Sequence, residues 1–415
     1  MARTARRPLL GGLAALAGGL PALRSPALAQ QPEAASLRLG ALFPFTGPLA
    51  LLGDEHFRGL ELAAEERNAA GGLLGKPIRL LRGDVADAAQ AQAEVKRLQG
   101  TERAVALFGT CASPLAFAAT QAAELQGIPY IELGAIADPI TDRGFRLLVR
   151  TCPRAAEVGR MAVDAVAEQL TLAWNKPLGG LSVAVLHEDS LYGQSVAGAQ
   201  EAQLKARGMT LAERLTYSIR SVEWPPLVQR LKGLDAEVLL HTGYQNDILL
   251  LYRGFREAGW RPRMVVGAGA GYSLTDTAHA IGPDFEGTLN VDVPQFEVNE
   301  RLAPGVKPFL ELYRKRYGSD PRSGSSLSNY VGARAAFDAI QRAAATEKDR
   351  IRAALQATDI AEGATANGWG IRFDEKGQNT RARPILLQWQ GGRQVAVGPA
   401  EAAVAPLKGR MGAVG

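Results

Sequence analysis

The sequence predicts an α/β fold of two parallel-sheet domains, and three observations carry that expectation. The stretch from Ala104 to Pro139 reads in one pass as strand, loop, helix, strand and loop. The same alternation continues along most of the chain, which implies parallel sheets covered by helices on both faces. It begins afresh after Thr151, and 415 residues exceed one ordinary core, so two domains of similar build are expected. With 47% hydrophobic and 21% charged residues the composition is that of a globular chain.

Leu37–Phe43 is the first predicted strand, followed by the turn-rich Pro44-Phe45-Thr46-Gly47-Pro48. Residues 54–70 place Phe57, Leu60 and Ala64 on one helical face and stop at Gly71-Gly72. Ile78–Arg82 is the next strand, with a helix running through Leu98. Ala104–Phe108 then leads into the loop Gly109-Thr110-Cys111-Ala112-Ser113-Pro114 and a helix over 115–125. Ser113 before Pro114 is a helix-start signature, in which the hydroxyl caps orphan amides and proline tolerates the first helical position. Such a helix end at the carboxyl edge of a strand presents free N–H groups and a positive dipole, which favour a carboxylate or phosphate. Phe145–Arg150 reads as another strand.

Beyond Thr151 the expected strands are Leu181–His187, Thr210–Tyr217, Glu237–His241, Arg263–Gly267 and Gly287–Asp292. Helices are expected over 157–170, 193–207, 225–232, 246–258, 307–317, 327–344 and 349–357. From Gly370 to Val397, Asp374-Glu375-Lys376-Gly377 and Gln390-Gly391-Gly392 punctuate short alternating runs, which suits β-hairpins.

The formal charge of +5 looks basic, but Arg3, Arg6, Arg7 and Arg24 lie in the first 29 residues, where no acidic residue occurs. The remainder carries about +1, so no nucleic-acid footprint is expected. Arg6-Arg7 before the apolar Leu9–Leu20, with Ala27-Leu28-Ala29 as a small-residue cleavage site, reads as an export signal over 1–29. The arginine pair fits either the twin-arginine or the general export route. No later segment offers about 18 uninterrupted apolar residues, so a soluble mature protein is expected. No cysteine follows the signal, which argues against a lipid anchor there. The two cysteines, Cys111 and Cys152, are either an exported disulfide or two small buried thiols.

Catalytic and cofactor motifs are weak. Val265-Val266-Gly267-Ala268-Gly269-Ala270-Gly271 resembles a dinucleotide turn, yet the third glycine of that pattern falls on Tyr272. His187-Glu188-Asp189 lacks metal-ligand spacing to His56, His241 or His279. Neither a nucleophile elbow nor a phosphate loop is present. No enzyme activity, cofactor or metal is expected.

From Leu37 to about Val397 the chain resembles the periplasmic solute-binding proteins of ABC importers, in the leucine/isoleucine/valine-binding branch. The residues that carry the resemblance are Phe45-Thr46-Gly47-Pro48 with Gly53, Asn68-Ala69-Ala70-Gly71-Gly72, Gly109 with Ser113, and Thr141-Asp142-Arg143-Gly144 before Val149-Arg150-Thr151. His187-Glu188-Asp189-Ser190-Leu191-Tyr192-Gly193, Gly243-Tyr244 and Phe373-Asp374-Glu375-Lys376-Gly377 follow in the same order. The resemblance implies two doubly wound lobes joined by three crossovers near Thr151, Asp292 and Gly370. Lobe 1 would comprise 36–151 and 292–369, lobe 2 would comprise 152–291 and 370–400, and 401–415 would form a tail.

The family places its ligand between the lobes. Carried over, Ser113 and the backbone at Pro114 and Leu115 hold a ligand carboxylate, while Tyr192 and Tyr244 come from the second lobe. Ala135 and Ile136 stand in the next loop, where amino-acid binders have a threonine at the latter position. Gly269 stands where they carry a glutamate against the ligand's ammonium; Asp138, Glu132 and Asp189 are possible substitutes. Leu52 replaces a first-lobe aromatic, and Ala86 occupies a family disulfide position. Aliphatic Leu52 and Ile136 beside Tyr192, Tyr244 and Tyr272 suit an apolar or aromatic carboxylate. The implied role is a monomeric periplasmic receptor delivering a small-molecule solute to an inner-membrane permease and its ATPase. A sensory receptor for the same solute, or an exported α/β enzyme, is the alternative.

Overall fold

A computed structural model describes residues 36–220 and 223–412, so the export signal read over 1–29 lies outside the described residues. The chain runs β1 (Leu37–Phe43), α1 (Ala50–Ala69), β2 (Ile78–Asp84), α2 (Ala88–Lys96), β3 (Ala106–Gly109), α3 (Ser113–Gln126), β4 (Tyr130–Glu132), α4 (Pro139–Asp142) and β5 (Leu148–Arg150). These strands form one parallel sheet in the order β2-β1-β3-β4-β5. Along β1, Leu39, Ala41 and Phe43 enter one core cluster and Leu42 the opposite one, because successive side chains leave a strand on opposite faces. Both faces are therefore covered, as expected for a parallel sheet.

The second sheet begins after α5 (Ala155–Ala165) and α6 (Thr171–Trp174). It takes β6 (Ser182–Glu188), α7 (Leu191–Arg207), β7 (Thr210–Tyr217), α8 (Trp224–Gly233), β8 (Val238–Thr242), α9 (Gln245–Glu257), β9 (Met264–Gly267), α10 (Thr275–Ile281) and β10 (Leu289–Asp292). The chain then returns to the first sheet with α11 (Val306–Tyr317), α12 (Ser325–Ala343) and α13 (Lys348–Gln356). α12 lies along α1, and a Cβ at Gly59 would stand 2.0 Å from Ser326 O, so the two helices meet at backbone distance only because residue 59 is glycine. That crossing sets the first turns of α12 beside His56.

β11 (Asp359–Ile360) pairs with β12 (Ile371–Arg372), and the hairpin β13 (Ile385–Gln390) and β14 (Arg393–Gly398) completes the second sheet as β14-β13-β10-β9-β8-β6-β7. The hairpin expected at Gln390-Gly391-Gly392 forms, while around Asp374-Glu375-Lys376-Gly377 the pairing is a single antiparallel bridge between Phe373 and Asn379. The hairpin pairs antiparallel to β10, which makes this sheet mixed rather than wholly parallel. The two glycines at 391 and 392 leave room only for a tight turn, and a tight turn joins antiparallel neighbours. The third crossover was expected near Gly370, whereas pairing with the second sheet begins at Ile385 and Gln378 still bridges to Arg150. α4 and α10, too short to show a clear apolar period, are helices that sequence periodicity did not reveal.

Ser113 departs from its expected role. It is the first helical residue, Ala112 takes the extended N-cap conformation, and no side chain caps α3. The Ser113 hydroxyl instead accepts the Ala137 N–H at 3.2 Å, tying the α3 start to the loop after β4. Both cysteines are free, buried thiols. Among the described residues no helix is long and apolar enough to cross a membrane.

Candidate functional site

In each sheet one central strand has its sequence neighbours on opposite sides, and the loops at the carboxyl ends of the strands flanking that switch point form a crevice. In the first sheet the switch lies between β1 and β3, and in the second between β6 and β8. The loops and first helical turns that follow β3, β6 and β8 carry Ser113, Tyr192 and Tyr244, and all three residues line one cavity of about 50 Å³. Ile136 and Gly269 also line it, together with Leu52, Cys111 and Cys152. A space of that size holds a few water volumes, so it suits a small solute.

The first-sheet wall is held from below. The buried carboxylate of Glu132 accepts the N–H groups of Thr110 at 2.7 Å, Gly134 at 2.9 Å and Ala135 at 2.7 Å. It thereby joins the loop carrying Ser113 to the loop carrying Ile136. Burial pushes its carboxyl up to about 7, with the three amide bonds and Arg150 acting against that shift. Arg150, itself fully buried, donates to Ala135 O at 3.2 Å, Ala137 O at 2.7 Å and Thr141 Oγ1 at 3.0 Å. Its Nε reaches Gln378 Oε1 at 2.6 Å, and Gln378 in turn donates to Cys152 O at 2.9 Å, so two interlobe segments share one bonded knot. At the helix itself, Ala116 N–H is the one that reaches Ala112 O, which leaves the amides of Ser113 and Leu115 without a carbonyl partner among the described residues.

The second-sheet wall is aromatic. Glu188 accepts the amides of Ser190 and Gly193, at 2.5 and 2.7 Å, and so fixes the first turn of α7. Tyr192 follows in that turn and donates its hydroxyl to Ala268 O. Its ring lies 5.4 Å from that of Tyr244, centroid to centroid. A direct link between the walls runs from Asp138 N–H to Ser195 Oγ at 3.0 Å.

Four of the expected contact residues stand off the cavity surface: Pro114, Leu115, Ala135 and Tyr272. Tyr272 is the clearest departure. Its ring packs where a Cβ on Gly267 would be, 2.2 Å away, and its hydroxyl bonds His241 Nδ1 at 2.6 Å within the core. The possible acid substitutes also differ in placement. Glu132 is consumed by backbone amides, Asp138 pairs with Arg154 at 2.8 Å, and Asp189 does not line the cavity.

Other cavity residues carry no sequence motif. Asp292 closes β10 and faces the cavity beside Gly269, where a Cβ would stand 2.9 Å from its Oδ1. His56 donates Nδ1–H to Leu52 O at 2.9 Å, and burial pushes its pKa down to about 4, so the ring is neutral with Nε2 as an acceptor. Ser328 and Asn329 arrive on α12; Ser328 Oγ and Asn329 Oδ1 are buried without a hydrogen-bond partner among the described residues. Helical apolar spacing around 327–344 revealed the helix, but the side of it that meets α1 depends on the Gly59 crossing.

The model of the family described as periplasmic binding protein matches residues 36–393. The Leu/Ile/Val-binding protein homolog 7 of Brucella suis biovar 1 is 44% identical over 378 residues, covering 91% of this chain and 95% of the relative. Among solved structures, the branched-chain amino acid transporter substrate binding protein LivJ of Streptococcus pneumoniae in complex with isoleucine superimposes with a TM-score of 0.77 at 21% identity, covering 89% of this chain and 99% of that one. A solute binding protein of an ABC transporter from R. palustris in complex with benzoate gives a TM-score of 0.76 at 21% identity, covering 89% of this chain and 98% of that one.

Proposed function

We propose, from the premise that the chain belongs to the periplasmic binding protein family, that it is the substrate-binding component of an ABC importer and holds a small carboxylate-bearing solute between its two lobes. One observation carries the reading: loops from the switch points of both sheets converge on one small cavity whose wall contains buried polar atoms without partners. Buried polar groups are nearly always hydrogen-bonded, so such atoms at a cavity wall indicate a missing polar occupant. The α3 start, with the amide and hydroxyl of Ser113, is the carboxylate end of the site; Tyr192, Tyr244, Leu52 and Ile136 form the apolar surround.

Lobe 1 comprises 36–151 and 292–369 and lobe 2 comprises 152–291 and the closing hairpin, and they hinge at the segments that carry Arg150 and Gln378. Ligand bridging both walls favours the closed form over the open one by its differential contacts, and the closed form is what a membrane permease with its ATPase recognises. The protein acts as a monomer in the periplasm and binds its solute without turnover. Isoleucine in the LivJ complex and benzoate in the R. palustris complex both carry a carboxylate, which agrees with this reading.

A thermal-shift series tests it. Ligand at a hundred times its dissociation constant adds about 2.7 kcal/mol of stability, a readable shift. Stabilisation by small carboxylates, weakened in Ser113→Ala, is the expected result. Stabilisation confined to solutes without a carboxylate would overturn it.

A further inference from the structure

The carboxylate end of the site does not account for Asp292 at the end of β10. Its carboxylate faces the cavity, and its protein partners are the Ser273 hydroxyl and the Val293 N–H. Among the described residues no lysine, arginine or histidine pairs with it. An ionised carboxylate taken from water without a cation is costly; Glu132, by contrast, is satisfied by three amides and Asp284 by arginine. Burial pushes the Asp292 carboxyl up to about 6, so near neutral pH it is mostly ionised but poorly compensated.

Two cavity residues from the first-sheet side point the same way. Asn329 Oδ1 is a buried acceptor without a donor, and His56 Nε2 is a lone pair because Nδ1 carries the proton. Three acceptors, one of them an anion, thus belong to residues lining the cavity that Ser113, with its N–H and O–H donors, also lines. Such a set of acceptors is matched by a group rich in N–H donors and positively charged. Gly269 belongs to the same device. It holds φ 76° and ψ −146°, and any Cβ there would press on the Asp292 carboxylate. The glycine is thus the room into which the acid from the neighbouring strand fits.

We propose that Asp292 is the specificity-determining counter-ion for a protonated amine of the ligand, so that the site takes amino-carboxylates in preference to the same carboxylates without the amine. This rests on the reading of the cavity as a carboxylate site. The absence of an acid at position 269 then leaves the amine with a partner, supplied by the end of β10 instead of the loop after β9.

The test pairs each α-amino acid with its des-amino acid, for instance leucine with 4-methylpentanoate and phenylalanine with 3-phenylpropanoate, in thermal shift and calorimetry. The wild-type protein is expected to bind the amino member of a responding pair at least ten-fold more tightly. Asp292→Asn, close in shape, is expected to remove most of that preference while changing affinity for the des-amino member little. Equal or tighter binding of des-amino acids by the wild type overturns the inference while leaving the carboxylate reading intact, and needs no variant. An unchanged preference in a folded Asp292→Asn protein overturns the role of Asp292. Failure of every carboxylate, with or without amine, overturns both.

Discussion

Glu132 and Asp292 are both carboxylates at the carboxyl ends of strands, one in each sheet, and burial raises the pKa of each. They differ in what their oxygens face. Glu132 accepts three backbone amides from two loops and is absent from the cavity wall, whereas Asp292 has a hydroxyl, one amide and the cavity. The contrast teaches that a raised pKa alone does not separate an architectural acid from a recognising one. The number of oxygen lone pairs already used by the protein does.

The sharpest way to break the comparison is Glu132→Ala, which orphans the amides of Thr110, Gly134 and Ala135. At roughly 1–3 kcal/mol per unsatisfied buried group, a loss on the order of 3 kcal/mol or more is expected in denaturant unfolding. A variant as stable as the wild type would show that the carboxylate does not hold the two loops together.

Asp292→Asn is expected to act in the opposite direction on the ligand-free protein, raising its stability by up to about 3 kcal/mol near pH 7, as a shift of one pKa unit is worth about 1.4 kcal/mol. The folded pKa of about 6 lies above the ordinary 3.8, so the folded wild type holds its proton more tightly than the unfolded chain. The wild type therefore loses stability relative to the Asn variant as pH rises from about 4 to 6, and the gain disappears below that window. Melting curves of both proteins from pH 4 to 8 check this; a gap that widens toward acid would contradict it.

Gly269→Ala comes next, and the chain contains a matched control. Gly282 has φ 76° and ψ −144°, nearly the backbone of Gly269, but its Cβ direction is open. Both alanines incur a backbone cost of about 1–3 kcal/mol. Only the one at 269 is expected also to weaken binding of amine-bearing ligands, because it displaces the Asp292 carboxylate. Equal effects on binding at the two positions would remove that carboxylate from the explanation.

The smallest expected effect is at the carboxylate pole. Ser113→Ala removes one hydroxyl donor to a charged group and is expected to weaken affinity by about 1 kcal/mol or slightly more, measured by calorimetry. Because the hydroxyl also accepts Ala137 N–H, a modest drop in melting temperature is expected alongside.

The positions of the main strands and longer helices were legible in the chain because apolar periodicity and glycine or proline punctuation are local properties. Leu37–Phe43 and Thr210–Tyr217 form strands with the expected bounds, and most other elements differ by a few residues at their ends. The approach of Ser113, Tyr192 and Tyr244 to one cavity was also foreseeable, since each follows a strand at its carboxyl edge, where a doubly wound sheet opens.

What the tertiary structure alone decided is the direction of side chains at those edges. Tyr272 follows the same kind of strand end as Tyr244, yet the missing side chain of Gly267 lets its ring turn into the core toward His241. Asn329 and Ser328 reach the cavity from far along the chain because α12 docks on α1 at Gly59, a contact with no local signature. Asp292 read in the sequence only as the end of a strand before a crossover. Its exposure to the cavity, and the room that Gly269 leaves for it, exist only once β9 and β10 lie side by side. Local pattern determines where a chain turns, but which atoms are left unpaired is settled by packing between distant elements.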